Sequence, residues 1–329
     1  MRYFLTGATG FLGAAVARDL RAAGHDVRAL VRDPRRAAAL EATGVSLHRG
    51  DVADKESMRA PMAGVDGVFH VAGWYKIGVR DRAAAVATNI DGTRNVLELM
   101  RELEIPKGVY TSTLAVNSDT HGELVDESHS FTGRHVSLYD WSKAEAHAIA
   151  LRFIADGLPL VIVQPGLIYG PGDTSGVRTM LVQYLERRLP MIPKAAAYCW
   201  AHIGDEARGH LLAMERGTSG RNYFLAGPAH TIAGALDLAE RITGIPAPRV
   251  RLPSAALKGA AGLMRLIAPL VNLPSSASPE SLRVLAGVTY LGRADRAREE
   301  LGWDARPLAD GLADTLRHEM RLLGRPAHF

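Results

Sequence analysis

A phenol and an ammonium stand four residues apart at Tyr139 and Lys143. Four residues is about one helical turn, so the two side chains share a face, and a cation beside a phenol favours its phenolate form. A tyrosine placed this way serves as an acid or a base. Such a pair is common on exposed helices, and it gains meaning from a motif at the start of the chain, Thr6-Gly7-Ala8-Thr9-Gly10-Phe11-Leu12-Gly13. Gly7, Gly10 and Gly13 follow a predicted strand and open a predicted helix, where backbone amides can approach a pyrophosphate. The spacing differs from the more usual Gly-x-Gly-x-x-Gly of dehydrogenases. A dinucleotide loop and an acid/base phenol in one chain point to nicotinamide chemistry. Carbonyl reduction needs hydride at carbon and a proton at oxygen, and Tyr139 is the group that can donate the proton.

These residues need elements to hold them. Short apolar runs alternate with helix-like stretches: Tyr3 to Thr6, a helix over 10–23, Val27 to Val31, a helix over 35–43, and Ser46 to Arg49. The alternation continues through Gly67 to Val71, a long helix over 83–103, Gly108 to Ser112, a helix over 139–156, and Leu160 to Gln164. The pattern predicts an α/β fold, a Rossmann-type doubly wound parallel sheet with a smaller C-terminal substrate-binding region. After Pro165 the rhythm breaks at frequent prolines and glycines. Residues 1–165 are therefore read as the dinucleotide-binding domain. Residues 166–329 are read as mainly substrate-binding, with about 198–226 returning to the first domain.

The second strand should end at the adenosine ribose, and there the chain has Val31-Arg32. A guanidinium suits a 2′-phosphate, and Arg35 and Arg36 could reinforce it. Asp33 keeps NAD in play, so the expected cofactor is NADP in preference to NAD. Asp51-Val52, after the third strand, is placed to meet the adenine. Val71-Ala72-Gly73, after the fourth, offers small residues where backbone lies close to the cofactor.

The composition supports a globular enzyme of 329 residues, 47% hydrophobic, with a net charge of only +4. That charge is spread along the chain, so a pI near 9.3 gives little reason to expect a nucleic-acid partner. Cys199 is the single cysteine, which excludes an intrachain disulfide and fits a reducing, cytoplasmic setting. No metal-ligand spacing is found. The N-terminus shows no leader pattern. The apolar stretch from Ala255 to Leu273 is interrupted by Lys258, Arg265 and Pro269, so no membrane span is expected; a core or lid helix, a pocket wall and a membrane-contacting surface stay open for it.

Taken together the chain resembles the extended short-chain dehydrogenases/reductases, the NAD-dependent epimerase/dehydratase superfamily. The matching residues are Thr6 to Gly13, Asp51-Val52, His70-Val71-Ala72-Gly73, Asn89 with Gly92-Thr93, Tyr110 to Thr113, Tyr139 with Lys143, Pro165-Gly166, Tyr169 to Gly172, and His202 with Asp205. The resemblance implies that Tyr139 is the acid/base, that Lys143 holds the nicotinamide ribose and lowers the phenol pKa, and that Thr113 binds the substrate oxygen. It implies that Asn89 supports the lysine. It places Gly7, Thr9, Gly10, Phe11, Leu12, Arg32, Asp51, Val52, Val71, Ala72, Gly73 and Pro165 at the cofactor together with Tyr139 and Lys143. It also implies a homodimer through the helices over 83–103 and 139–156. Ser112, next to Thr113, competes for the hydroxyl role.

Within the superfamily, 4,6-dehydratases have Asp-Glu after the catalytic threonine, whereas this chain has Leu114-Ala115. Sugar-nucleotide epimerases commonly have Asn where Gln164 stands and Arg-Asp where Tyr198-Cys199 precede Trp200. Val31-Arg32-Asp33-Pro34 and the run from Tyr110 to Asn117 look more like the dihydroflavonol-reductase and 3β-hydroxysteroid-dehydrogenase branches. The expected activity is interconversion of a ketone and a secondary alcohol on a small, hydrophobic molecule. A nucleotide-sugar epimerase and a non-catalytic dinucleotide sensor are the alternatives. Trp74, Tyr75 and Lys76 are read as a pocket wall or an aromatic lid, His70 as structural, and Asn117 as a solvated turn or a substrate contact.

Overall fold

Six runs, most of them rich in branched and aromatic residues, form parallel strands in the first half: β1 (Arg2–Thr6), β2 (Asp26–Val31), β3 (Ser46–Arg49), β4 (Gly67–His70), β5 (Gly108–Thr111) and β6 (Leu160–Pro165). The computed structural model describes residues 1–79, 81–267, 278–327 and 329. A seventh strand, Asn222–Leu225, pairs in parallel with β6, and the sheet runs from it through β6, β5, β4, β1 and β2 to β3. Chain direction of assembly reverses between β1 and β4, which opens a crevice at their carboxyl ends. Central strands are buried on both faces: Phe4, Leu5, Val68, Phe69, Val109 and Tyr110 have no exposed surface. Two apolar layers result, one on each side of the sheet.

The crossovers place the chemistry. α1 (Phe11–Ala22) starts directly after the glycine loop. The helix expected over 35–43 is instead a 3₁₀ turn, Pro34–Ala37, and a single α turn, Ala38–Glu41. Pro34 sets the first φ, the Asp33 carboxylate caps the Arg35 amide, and Gly44 follows at positive φ, which leaves too little room for a regular helix. A helix the pattern reading did not resolve, Lys55–Met62, is capped by Asp54 and carries Pro61 in its last turn. The long helix begins as Arg82–Ala85, widens into a π-helical stretch Val86–Asp91, and continues as Gly92–Glu102. Helix Leu138–Ala155 lies beside it, with Arg82 over the Trp141 ring and Arg101 over Phe153.

The C-terminal region builds a smaller sheet around Ala197–His202, which pairs with Leu167–Tyr169, Thr289–Tyr290 and Ala229–Thr231. Of the segment 198–226, this strand therefore belongs to the smaller sheet. Helix Ile203–Arg216 packs on α1, and Asn222–Leu225 enters the large sheet. The apolar segment read at 255–273 is a helix, Ser254–Ile267, up to the edge of the described residues; Leu257 and Ala261 are buried and Leu263 is exposed. Residues 268–273 lie outside the described residues. Among the described residues, no helix is long and apolar enough to cross a membrane.

Candidate active site

The cradle at the sheet's switch point is built from backbone. Gly7 has φ +75°, and a Cβ there would lie 2.7 Å from the Ala72 nitrogen. A Cβ on Gly13 would overlap the Gly7 carbonyl, so the turn and the first helical turn can approach only as glycines. The Thr6 hydroxyl ties the two loops together, accepting from the amides of Val71 at 3.2 Å and Ala72 at 3.1 Å. Gly10 caps α1 and offers no side chain to its first amides, and Thr9 and Gly10 are exposed. Open amides at a helix N-terminus, with backbone on either side, fit a dinucleotide pyrophosphate. Phe11 is partly exposed beside them, and Leu12 is buried.

At the ribose end, Arg32 is exposed and enters no ion pair among the described residues. Asp33 is committed elsewhere, capping the Arg35 amide and pairing with its guanidinium at 3.1 Å. Asp51 is partly buried and accepts from the Ala53 amide at 3.0 Å. The Val52 side chain is buried toward Gly92 and its carbonyl accepts from Asn95, so the valine turns inward rather than presenting its side chain to a ligand. Val71 and Ala72 are partly buried, Gly73 is exposed, and Pro165 is buried at the end of β6.

Helix Leu138–Ala155 begins at the Ser137 cap and brings Tyr139 and Lys143 to the carboxyl end of β5. Burial drives the Tyr139 phenol up to about 12, a hydrogen bond from Thr113 pulls it down, and the Asp140 charge pushes it up. The lowering by Lys143 expected from the spacing is not what sets the phenol here. The ammonium turns instead to the Thr111 carbonyl at 2.8 Å and the Tyr110 hydroxyl at 3.3 Å, and burial lowers its pKa to about 7. The two adjacent hydroxyls are separated by their partners. Ser112 Oγ is bonded to His147 Nδ1 at 2.8 Å, whereas Thr113 caps the Ala115 amide and lies near enough to Tyr139 to lower its pKa. Thr113 is the hydroxyl beside the phenol.

Asn89 departs from expectation. It sits in the π-helical stretch, and its amide accepts from the Trp74 nitrogen at 2.7 Å and donates to the Trp74 carbonyl at 2.9 Å and Ser142 Oγ at 2.8 Å. It clamps the loop after β4 and reaches Lys143 only through the neighbouring Ser142. His70 is buried and its pKa falls to about 3, chiefly through burial and then through the Lys143 charge, so the ring is neutral. It bridges Thr6 at 2.8 Å and Thr93 at 3.1 Å and stacks on Tyr110, a structural role. Trp74 is buried and Tyr75 and Lys76 are exposed, while the Gly78 amide donates to Glu280 of the C-terminal region. His202 caps its own helix through the Gly204 amide, and Asp205 clamps Arg306.

Two groups, Asp140 and His147, went unread in the sequence as parts of the site, and a third, Gln164, was read only as the position where sugar epimerases carry Asn. Gln164, fully buried, donates to the Thr113 carbonyl at 3.0 Å. Asp140, also fully buried, accepts from Ser137 and Tyr290, each at 2.7 Å. His147 continues the four-residue spacing of Tyr139 and Lys143, a signal present in the sequence. Asn117 is buried rather than solvated, and its Nδ2 has no partner among the described residues.

A doubly wound sheet, a glycine cradle at its switch point and a Tyr-Lys helix beside a threonine define a dinucleotide-dependent oxidoreductase. The profile of the NAD dependent epimerase/dehydratase family matches residues 3–226, and the chain belongs to that family. It is an NAD(P)-dependent enzyme of the extended short-chain dehydrogenase/reductase type. It is similar to a putative dihydroflavonol 4-reductase of Synechocystis sp., 33% identical over 95% of this chain and 93% of the relative. It is also similar to a 4-hydroxy-2-methyl-3-oxo-4-farnesyl-3,4-dihydroquinoline-1-oxide ketoreductase of Stigmatella aurantiaca, 33% identical over 96% of each chain. Among solved structures, gox2253 superposes with a TM-score of 0.83 at 30% identity over 98% of both chains. A UDP-glucose 4-epimerase of Thermotoga maritima shares the fold, with a TM-score of 0.79 at 21% identity over 98% of this chain and 100% of the epimerase.

Proposed function

We propose that this enzyme interconverts a ketone and a secondary alcohol on a small hydrophobic molecule, with Tyr139 as acid/base and NADP preferred over NAD. The observation that carries the reading is the Tyr139 phenol, beside the Thr113 hydroxyl just past the end of β5 and one helical turn from Lys143. A bound nicotinamide supplies or takes up the hydride at the substrate carbon. In reduction, Tyr139 gives its hydroxyl proton to the substrate oxygen as negative charge develops there. Thr113 donates a hydrogen bond to the same oxygen and fixes its direction. Lys143, on the same helix face, would hold the ribose hydroxyls of a bound cofactor. In oxidation the proton moves from the alcohol to Tyr139.

The reductase names of the two relatives support ketone chemistry on apolar substrates. Gln164 and Tyr198-Cys199, where sugar epimerases commonly carry Asn and Arg-Asp, support it over epimerisation. The exposed Arg32, beside an Asp33 already paired with Arg35, supports a 2′-phosphate partner. The test is fluorescence titration of the protein with NADPH and NADH, followed by turnover of aromatic ketones, steroids, aldehydes and nucleotide sugars. Tyr139→Phe should lose turnover and keep its cofactor affinity; wild-type turnover in that variant would sink the acid/base assignment. Arg32→Ala should weaken NADPH far more than NADH, and equal effects would remove the 2′-phosphate reading. Conversion of a nucleotide sugar without net cofactor oxidation would move the activity to an epimerase.

A further inference from the structure

Tyr139, Lys143 and His147 are spaced by four residues and form one polar stripe along helix Leu138–Ala155. They face three consecutive residues at and just past the end of β5. Lys143 donates to the Thr111 carbonyl and His147 Nδ1 is bonded to Ser112 Oγ, while the Thr113 hydroxyl lies near enough to the Tyr139 phenol to lower its pKa. Helix and strand end are thus hydrogen-bonded at two successive points, with Thr113 beside the phenol at the third. The two hydroxyls, chemically alike and adjacent, are sorted by these contacts: one is committed to an imidazole, the other is left beside the phenol.

We propose that His147 is a positioning residue, whose bond to Ser112 fixes the register of helix and strand end so that Thr113, and not Ser112, shares the substrate oxygen with Tyr139. This rests on the acid/base reading of Tyr139 given above. Burial, and then the Lys143 charge, lowers the His147 pKa to about 4, so the ring is neutral at working pH and adds no second cation beside the lysine. Gln164, on the neighbouring strand β6, donates to the Thr113 carbonyl, and Asn222 in turn donates to Gln164. His147 also lines a cavity of about 400 Å³ together with Asn117, Gln164 and Asn222. That cavity offers a small molecule a route to the ring's place.

The experiment compares His147→Leu, His147→Asn and His147→Ala with the wild type in ketone reduction, in the presence and absence of Ser112→Ala. His147→Leu should lower kcat on the order of tenfold, because small misplacements of a reacting group are costly. The NADPH dissociation constant should stay within about twofold of wild type, since the cradle is untouched. His147→Asn, whose amide reaches roughly where Nδ1 stood, should recover most of kcat, and added imidazole should partly restore His147→Ala. In the Ser112→Ala background, His147→Leu should cost little more, because the two residues act as one unit. Wild-type kcat in His147→Leu, or an equal loss with and without Ser112, overturns the proposal. A His147→Leu chain that fails to fold leaves the asparagine and imidazole arms to decide it. Tyr139→Phe separates the two levels: a dead Tyr139→Phe with a wild-type His147→Leu removes this inference alone, whereas an active Tyr139→Phe removes the acid/base reading beneath it.

Discussion

At the scale of single residues, Thr113 and Ser112 could not be ranked from sequence alone, because adjacent hydroxyls at a strand end exchange roles with a one-residue shift. Their partners decide it, and those partners come from a helix about thirty residues away in the chain. Replacing Thr113 with Val should lower kcat roughly 10²- to 10³-fold, the usual scale for losing a donor at a developing oxyanion. It should also cost about 1 kcal/mol of stability, since Thr113 caps the 3₁₀ turn at Leu114–Asn117. The Thr113 hydrogen bond pulls the phenol pKa down, so its loss moves that titration upward. Alcohol oxidation, which needs phenolate, should then require more alkaline solution, while ketone reduction, which needs the phenol, stays flat through neutral pH. Rates in both directions against pH check this; an unshifted oxidation profile would contradict it. The Tyr-Lys spacing was legible without a fold. That Lys143 faces Thr111 and Tyr110, and not the phenol, was not, because spacing gives a shared face and not a rotamer.

At the scale of elements, short apolar runs alternating with helix-like stretches placed the strands and long helices, because strands of a parallel sheet are buried on both faces. The turn at Pro34 and the helix Lys55–Met62 escaped the patterns, being short and decided by caps. The π-helical stretch Val86–Asp91 escaped for another reason: nothing in a hydrophobic pattern marks one extra residue in a turn. Yet that stretch carries Asn89, whose amide closes three hydrogen bonds with Trp74 and Ser142. Asn89→Leu should leave both buried backbone groups of Trp74 without partners, at a cost of about 2–4 kcal/mol. The expected result is a melting temperature lower by several degrees, read by calorimetry, with weakened cofactor binding because the β4 loop is released. An unchanged melting temperature would show the clamp to be incidental.

At the scale of the whole molecule, the second half was the least legible. Its short strands are fixed by contacts with residues far away in sequence, such as Thr289 with Asp119 and Tyr290 with Asp140. The last of these joins the C-terminal region to the residue next to Tyr139. Burial raises the Asp140 carboxyl to about 6, against the hydrogen bonds from Ser137 and Tyr290. An unfolded aspartate titrates near about 4. Between those values the folded protein holds a proton that the unfolded chain has released. The contribution is fully present below about pH 4 and is lost as pH rises through about 6, a swing of roughly 3 kcal/mol. Asp140→Asn should therefore flatten the dependence of melting temperature on pH across that window, and an identical slope in wild type and variant would refute the assignment. The seventh strand, Asn222–Leu225, carries a consequence for biosynthesis. The ribosome releases β6 long before it releases the strand that covers it. Until residue 225 emerges, the nascent sheet ends in Leu160–Pro165, an apolar strand whose outer edge has no partner, so a chain stalled before that point should aggregate more readily than one released after it.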